Sequence, residues 1–251
     1  DYCWVTLKLI CNGNGCPDPD GSRIAGNVKT ETGQGVNDVE IIASAALPEY
    51  PKSDKTDEAG NYQMEIIADT ELRALKDGDD INGVSTLDLV IIQRHILGIQ
   101  TLTGPYKRIA ADANNDTKVT ASDLTEIRKL ILGVTNDYVN NTSWRFPISS
   151  QTMDETNPFP YVENIQAYPG SVQNYNFVAV KIGDVNGNVS TNVTNPAVEA
   201  RSNNNVVLTV AEQTVAAGEV VEIPVTSANF SEVAGYQFTM NLKGASFVGV
   251  Q

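Results

Sequence analysis

Residues 112–123 read Asp112-Ala-Asn114-Asn-Asp116-Thr-Lys118-Val-Thr120-Ala-Ser-Asp123, with oxygen donors at loop positions 1, 3, 5, 9 and 12. That period lets one turn of chain wrap a single hard cation, with the backbone carbonyl of Lys118 contributing at position 7. Calcium takes roughly six to eight oxygens, and three carboxylates crowded on one turn repel each other until a cation neutralises them. The plainer reading is a solvated Asx-rich turn, but such turns seldom keep the full loop period. Asp112, Asn114, Asp116, Lys118, Thr120 and Asp123 are therefore the leading candidate ligand set. Position 6, which ordinarily holds a Gly at positive φ, is the β-branched Thr117, so weaker binding or a bent loop is expected.

The loop belongs to a repeat. Asp123-Leu-Thr-Glu-Ile-Arg-Lys-Leu-Ile-Leu-Gly133 matches Asp88-Leu-Val-Ile-Ile-Gln-Arg-His-Ile-Leu-Gly98 at an offset of 35 residues. Leu89, Ile92 and Ile96, and likewise Leu124, Ile127 and Ile131, recur at helical spacing, giving each copy one buried stripe. Gly98 and Gly133 suit left-handed C′ positions. Neither stripe can hide alone, so the two helices should pack together. Before the second loop, Gly104-Pro105 argues against an entering helix of the EF-hand kind.

A loop with an exiting helix, duplicated and lacking entering helices, resembles the dockerin module. That resemblance implies two calcium loops and helices that bind cohesin domains. It places partner-reading positions at Thr86, Leu87, Gln93 and Arg94 in one copy, and at Ala121, Ser122, Arg128 and Lys129 in the other. The plainer reading of the basic residues is a solvated helix face. Counting back from Asp88, the first loop puts Asp77 and Asp79 at positions 1 and 3, while Ile81 at position 5 offers no donor. The run Asp79-Asp80-Ile-Asn82-Gly83 reads as a donor set slipped by one residue. Asp77, Asp79, Asn82 and Asp88 stand either as metal ligands or as parts of a calcium-free helix cap.

A third fragment, Gly183-Asp184-Val-Asn186-Gly187-Asn188, is close to the opening of a dockerin loop, yet no helix follows it. Asn192 and Asn195 fall at its positions 9 and 12, and amide oxygens alone hold calcium poorly there. Either it is an Asn-Gly turn, or it folds back so that Asp184 and Asn186 serve the damaged first loop.

The rest of the chain reads as multidomain and mainly β, with a small two-helix module. An apolar content of 41 % supports real cores, so a net charge of −14 does not signal disorder. The charge disfavours nucleic acid and anionic membranes, and no apolar run approaches the roughly 18 residues that span a bilayer. Residues 1–20 read as the final strand of a preceding Ig-like domain and a linker, with residue 1 a mature start or a cut in a longer chain. Residues 21–70 carry Ile24-Ala-Gly-Asn-Val, Gly33-Gln-Gly-Val-Asn-Asp-Val-Glu-Ile and Thr56-Asp-Glu-Ala-Gly-Asn-Tyr62, and resemble the carboxypeptidase regulatory-like (transthyretin-like) β-sandwich. The dockerin-like module with a β excursion is assigned to 71–188, a polar linker to 189–204, and the first strands of a cohesin-like sandwich to 205–251. Trp144 and Phe146, in the excursion, offer a sugar-stacking surface or, more plainly, a cover for the helices.

This order of modules resembles the C-proximal region of large surface proteins of Bacteroidota, particularly Saprospiraceae, which look like type IX secretion substrates. It implies a calcium-stabilised structural segment of an extracellular, cell-surface adhesin or fibre, with Ca²⁺ as cofactor. The implied partners are neighbouring domains of the same chain, a cohesin-like domain, or other copies in a fibre. The alternative is a dockerin-type module docking a cohesin domain for extracellular assembly. An enzyme is not expected: His95, the sole histidine, sits where the other copy of the repeat has Leu130, which points to packing, and neither a phosphate loop nor a nucleophile elbow is present.

Cys3, Cys11 and Cys16 gather at one end, and Cys11-Asn-Gly-Asn-Gly-Cys16 has the flexible interior of a short disulfide loop. Intact-mass measurement after alkylation should show one free thiol; three would count against both the bridge and an oxidising compartment.

Overall fold

The computed structural model describes residues 22–170 and 174–192, with parts of 207–249. Its first strands are β1 (Ser22–Thr30), β2 (Glu40–Ser44), β3 (Lys52–Lys55), β4 (Asn61–Ile66) and β5 (Thr70–Leu75). Helices α1 (Thr86–Ile96), α2 (Pro105–Ala111) and α3 (Ala121–Ile131) follow. The chain then returns to strands β6 (Trp144–Arg145), β7 (Asn164–Ala167) and β8 (Phe177–Lys181). Two further pieces, β9 (Thr209–Val210) and β10 (Val225–Thr226), pair antiparallel.

Eight strands form two sheets, ordered β4-β1-β8-β6 and β3-β2-β5-β7. Alternation along the strands decides the packing: Ile24 and Val28 in β1, Ile41 and Ala43 in β2, and Tyr62, Met64 and Ile66 in β4 point into one shared core. Leu72, Ala167 and Phe177 close the same core from the other strands. The sheets thus make a β-sandwich, and its later strands come from beyond the helices. β7 pairs with β5 through Leu72–Ile165, and β8 lies parallel to β1 through Val28–Phe177. The three helices are therefore an insertion between β5 and β6. The expected division at residue 70 does not follow the sheets, because the segment expected as an excursion of the helical module completes the sandwich.

Strand β8 faces two cores at once. Phe177 and Ala179 enter the sandwich, whereas Val178, Val180 and Ile182 pack against the helices. There they meet Leu89 and Ile92 of α1, Ile109 of α2, and Leu124 and Ile127 of α3. The expected stripes are buried, with Ile96 at the margin. Both long helices end alike: Gly98 and Gly133 adopt φ of 69° and 66°, and the residue after each donates back across the last turn.

Two expectations are corrected here. A helix does enter the second loop: α2 starts at Gly104-Pro105 with Pro at its first turn, where its missing N–H costs nothing and its fixed φ is already helical. The helical module therefore has three helices rather than two. Trp144 and Phe146 stack together inside the sandwich core, so they neither form a sugar platform nor cover the helices. Cys3, Cys11 and Cys16, the Ig-like end, and most of the linker and of the cohesin-like segment lie outside the described residues.

After β8 the chain turns at Gly183, whose N–H donates to the Ala110 carbonyl. With φ at +87°, a Cβ there would sit 2.5 Å from the Tyr138 hydroxyl and 3.0 Å from a Val84 methyl. Gly183→Ala should cost about 2 kcal/mol, or roughly 5 °C of melting temperature at fixed calcium, readable by thermal denaturation.

Candidate metal centre

The loop after α2 closes on itself through backbone donors. Asp112, buried at the end of α2, accepts from the N–H of Asp116 and of Thr117, each at 2.9 Å. Asn114 Oδ1 accepts from the Asp116 N–H at 3.1 Å, and its Nδ2 donates to Asp116 Oδ2 at 3.0 Å. Asp123, fully buried in the first turn of α3, accepts from Asn114 N at 3.1 Å on one oxygen and from Thr120 N at 2.7 Å on the other. Thr120 and Asp123 form a capping box, so the same carboxylate starts the helix and closes the loop.

Thr117 accepts the expected strain, at φ 69°, and Asn115 takes φ 58°. The sandwich grips the loop from outside. Arg145 donates to Asn115 Oδ1 at 2.9 Å and Asn141 Nδ2 donates to the Asp112 carbonyl at 2.9 Å. Arg145 is itself paired with Glu163.

Each loop carboxylate oxygen that accepts one N–H retains a further lone pair for a cation. Among the described residues no three His, Cys, Asp or Glu side chains gather as a ready cage. A calcium loop does not need one, since amide, hydroxyl and carbonyl oxygens complete its set. Burial pushes the Asp112 carboxyl up to about 6 and raises that of Asp123, with the neighbouring carboxylates adding to both. Crowded, desolvated acids of this kind are what a divalent cation relieves, so the donor set fits calcium.

The earlier acids are divided between two places. Asp77 accepts from Ser143 N at 2.8 Å, and Asp79 accepts from the Trp144 indole N–H at 2.7 Å. The Lys181 ammonium lies over the Trp144 ring, 5.9 Å from its centre, and donates to the Asp80 carbonyl at 2.8 Å. Burial pulls that ammonium down to about 8, while Asp79, Asp80 and Asp184 oppose the shift. Asp88 stands apart from Asp77 and Asp79. Its carboxylate accepts from Val185 N at 3.0 Å, Asn186 N at 3.2 Å and Ser85 N at 2.9 Å. Asp184 and Asn186 are therefore brought to Asp88. Asn82 is tied to Ser190 in both directions, accepting from its N–H at 3.2 Å and donating to its carbonyl at 2.8 Å.

Ser85 joins this cluster although it is not among the expected ligands, and Asn188, at the end of the loop-opening fragment, joins it through Asp184 and Asn186. Their signals are present in the sequence: Ser85-x-x-Asp88 copies Thr120-x-x-Asp123, and Asp184-x-Asn186-x-Asn188 copies Asp112-x-Asn114-x-Asp116. His95 has a packing role. Its Nδ1 accepts from Leu102 N at 3.2 Å, and burial beside Arg108 lowers its pKa.

Residues 77–132 match the family described as Dockerin type I domain. No curated protein and no solved structure matches the chain. Dockerin type I domains bind Ca²⁺ through EF-hand-like loops, and calcium is the cofactor of this segment. They are non-catalytic binding modules that occur in extracellular or cell-surface proteins. Among the described residues no helix is long and apolar enough to cross a membrane.

The raised Asp112 and Asp123 carboxyls set a pH dependence. A carboxyl with a folded pKa above its unfolded value near 3.8 favours the fold while protonated. That contribution is complete below the unfolded value and is lost as pH rises through about 6. Calcium binds the ionised form and reverses the trend. In chelator the melting temperature should therefore fall from roughly pH 5 to 7, and in saturating calcium it should rise over the same window. Parallel melting curves check this; equal slopes in both conditions would contradict it.

Proposed function

We propose that this chain is a calcium-stabilised structural segment of a large extracellular surface protein, an adhesin or a fibre. The observation that carries this reading is the shared strand β8, which packs the dockerin-like helices and the sandwich against one another. The helices are inserted between strands of the sandwich, and their core is completed by Val180 and Ile182 from the β8 segment, so a loop held by calcium is tied to both layers. Calcium that binds the folded loop alone contributes its binding free energy to the fold. The module order read from the sequence supports a type IX secretion substrate of the Bacteroidota kind, with neighbouring domains of the same chain as partners.

A second reading, docking of a cohesin domain, draws on the exposed face formed by Leu87, Gln93, Arg94, Ala121, Ser122 and Arg128. Lys129 on that face is paired with Glu126, and Arg94 reaches Gln100.

Asp123→Ala should remove the calcium response of the loop after α2 and about 2–3 kcal/mol of stability at calcium near one hundred times its Kd. Thermal melts with and without chelator measure this. A wild-type curve that ignores chelator would sink the structural reading. Calcium-dependent capture of an isolated cohesin domain, abolished by Leu87→Asp with Arg128→Glu, would favour docking instead.

A further inference from the structure

We infer that the chain builds a second calcium site from two segments 96 residues apart: Asp184, Asn186 and Asn188 supply the opening of the loop, and Ser85 and Asp88 supply its close. This rests on the proposed calcium-stabilised module and assigns it a ligand set that the family match, ending at residue 132, does not reach.

The contiguous loop serves as the template. Asp112 accepts from the N–H groups four and five residues ahead, and so does Asp184, from Asn188 at 3.3 Å and Val189 at 2.9 Å. Asn114 accepts from the N–H two residues ahead, as does Asn186, from Asn188 at 3.0 Å. The fourth position is left-handed in both, at Asn115 with φ 58° and Gly187 with φ 76°. Asp123 closes the contiguous loop on the N–H of Asn114; Asp88 closes the split one on the N–H of Asn186. The other oxygen of each closing acid accepts from its own helix cap, Thr120 or Ser85.

Independent of this geometry, Ser85 and Asp88 lie in a segment whose family binds calcium. The acids Asp77 and Asp79, which linear counting would place in the loop, face Ser143 and the Trp144 indole instead. The 184–190 segment comes in against this stretch of chain, bonded to Asp88 and, through Ser190, to Asn82. Gly83 permits that approach, since a Cβ on it would lie 2.7 Å from Val189 Cα.

The split site differs from the template in one consequential place. Position 5 is Asp116 in the contiguous loop and Asn188 in the split one. Asp116 also receives the Asn114 amide, whereas the corresponding Asn186 Nδ2 is buried without a partner. The split site thus carries two carboxylates against three and should be the weaker, because calcium affinity follows the charge of the ligand set.

Calcium titration by isothermal calorimetry, with native mass spectrometry for stoichiometry, tests this on the whole chain. Wild type should bind two calcium ions, Asp123→Ala one and Asp184→Asn one. Asn188→Asp supplies the missing carboxylate and an acceptor for Asn186, so it should tighten the weaker site about tenfold while the stronger is unchanged. That gain does not depend on a variant that merely unfolds. Binding of one calcium by wild type, lost in Asp123→Ala and indifferent to Asp184→Asn and Asn188→Asp, would overturn the split site and leave the proposed function standing. Binding of none would overturn both.

Discussion

Strand β8 is the constraint on which the rest of the structure depends. A strand alternates its side chains between two faces, and here both faces are buried, one by Phe177 and Ala179 in the sandwich, the other by Val180 and Ile182 against the helices. No single layer can therefore loosen without exposing apolar surface of the other. β8 also lies between β1 and β6, so the earliest described strand and the return from the helices are hydrogen-bonded to it from opposite sides. The residues just beyond β8 run on to Asp184, which places the candidate calcium chemistry at the end of the same strand.

Much of the helical insertion was legible because its signals are local. The period of 112–123, the two matched stripes and the paired terminal glycines each lie within a few residues and need no knowledge of the rest of the fold. The misreadings have equally local causes. Gly104-Pro105 reads as a helix break from the sequence, although Pro is unwelcome only inside a helix and is at home in the first turn. Nothing local in Trp144 and Phe146 tells which layer they cover; the pairing of β6 with β8 carries them into the sandwich core. The run Phe177-Val-Ala-Val180 carries its own signal, since an unbroken apolar strand is one covered on both sides.

The split cluster lay beyond such reading for a different reason. Asp88 and the Asp184 segment are brought together by the return of the chain through β8, and no spacing rule relates residues so far apart. Counting back from Asp88 therefore reached Asp77 and Asp79, whose acids turn to the buried Lys181 region. What could be seen was the fragment 183–188 with its loop-opening pattern and no helix to complete it. An orphan half-motif is itself a signal that its other half lies elsewhere in the chain.

The parallel pairing of β1 with β8 has a mechanical consequence. Tension carried along the polypeptide would enter β1 at Ser22 and leave β8 beyond Lys181. For parallel neighbours these are opposite ends, so the load would slide one strand along the other. The bonds around Val28–Phe177 and Thr30–Ala179 would bear it together rather than opening one after another. The segment by which the load leaves is hydrogen-bonded to Asp88 of α1 and, through Ser190, to Asn82, so the pull also reaches the inserted helices, and the cluster around Asp88 and Asp184 is a clamp on the exit of the loaded strand.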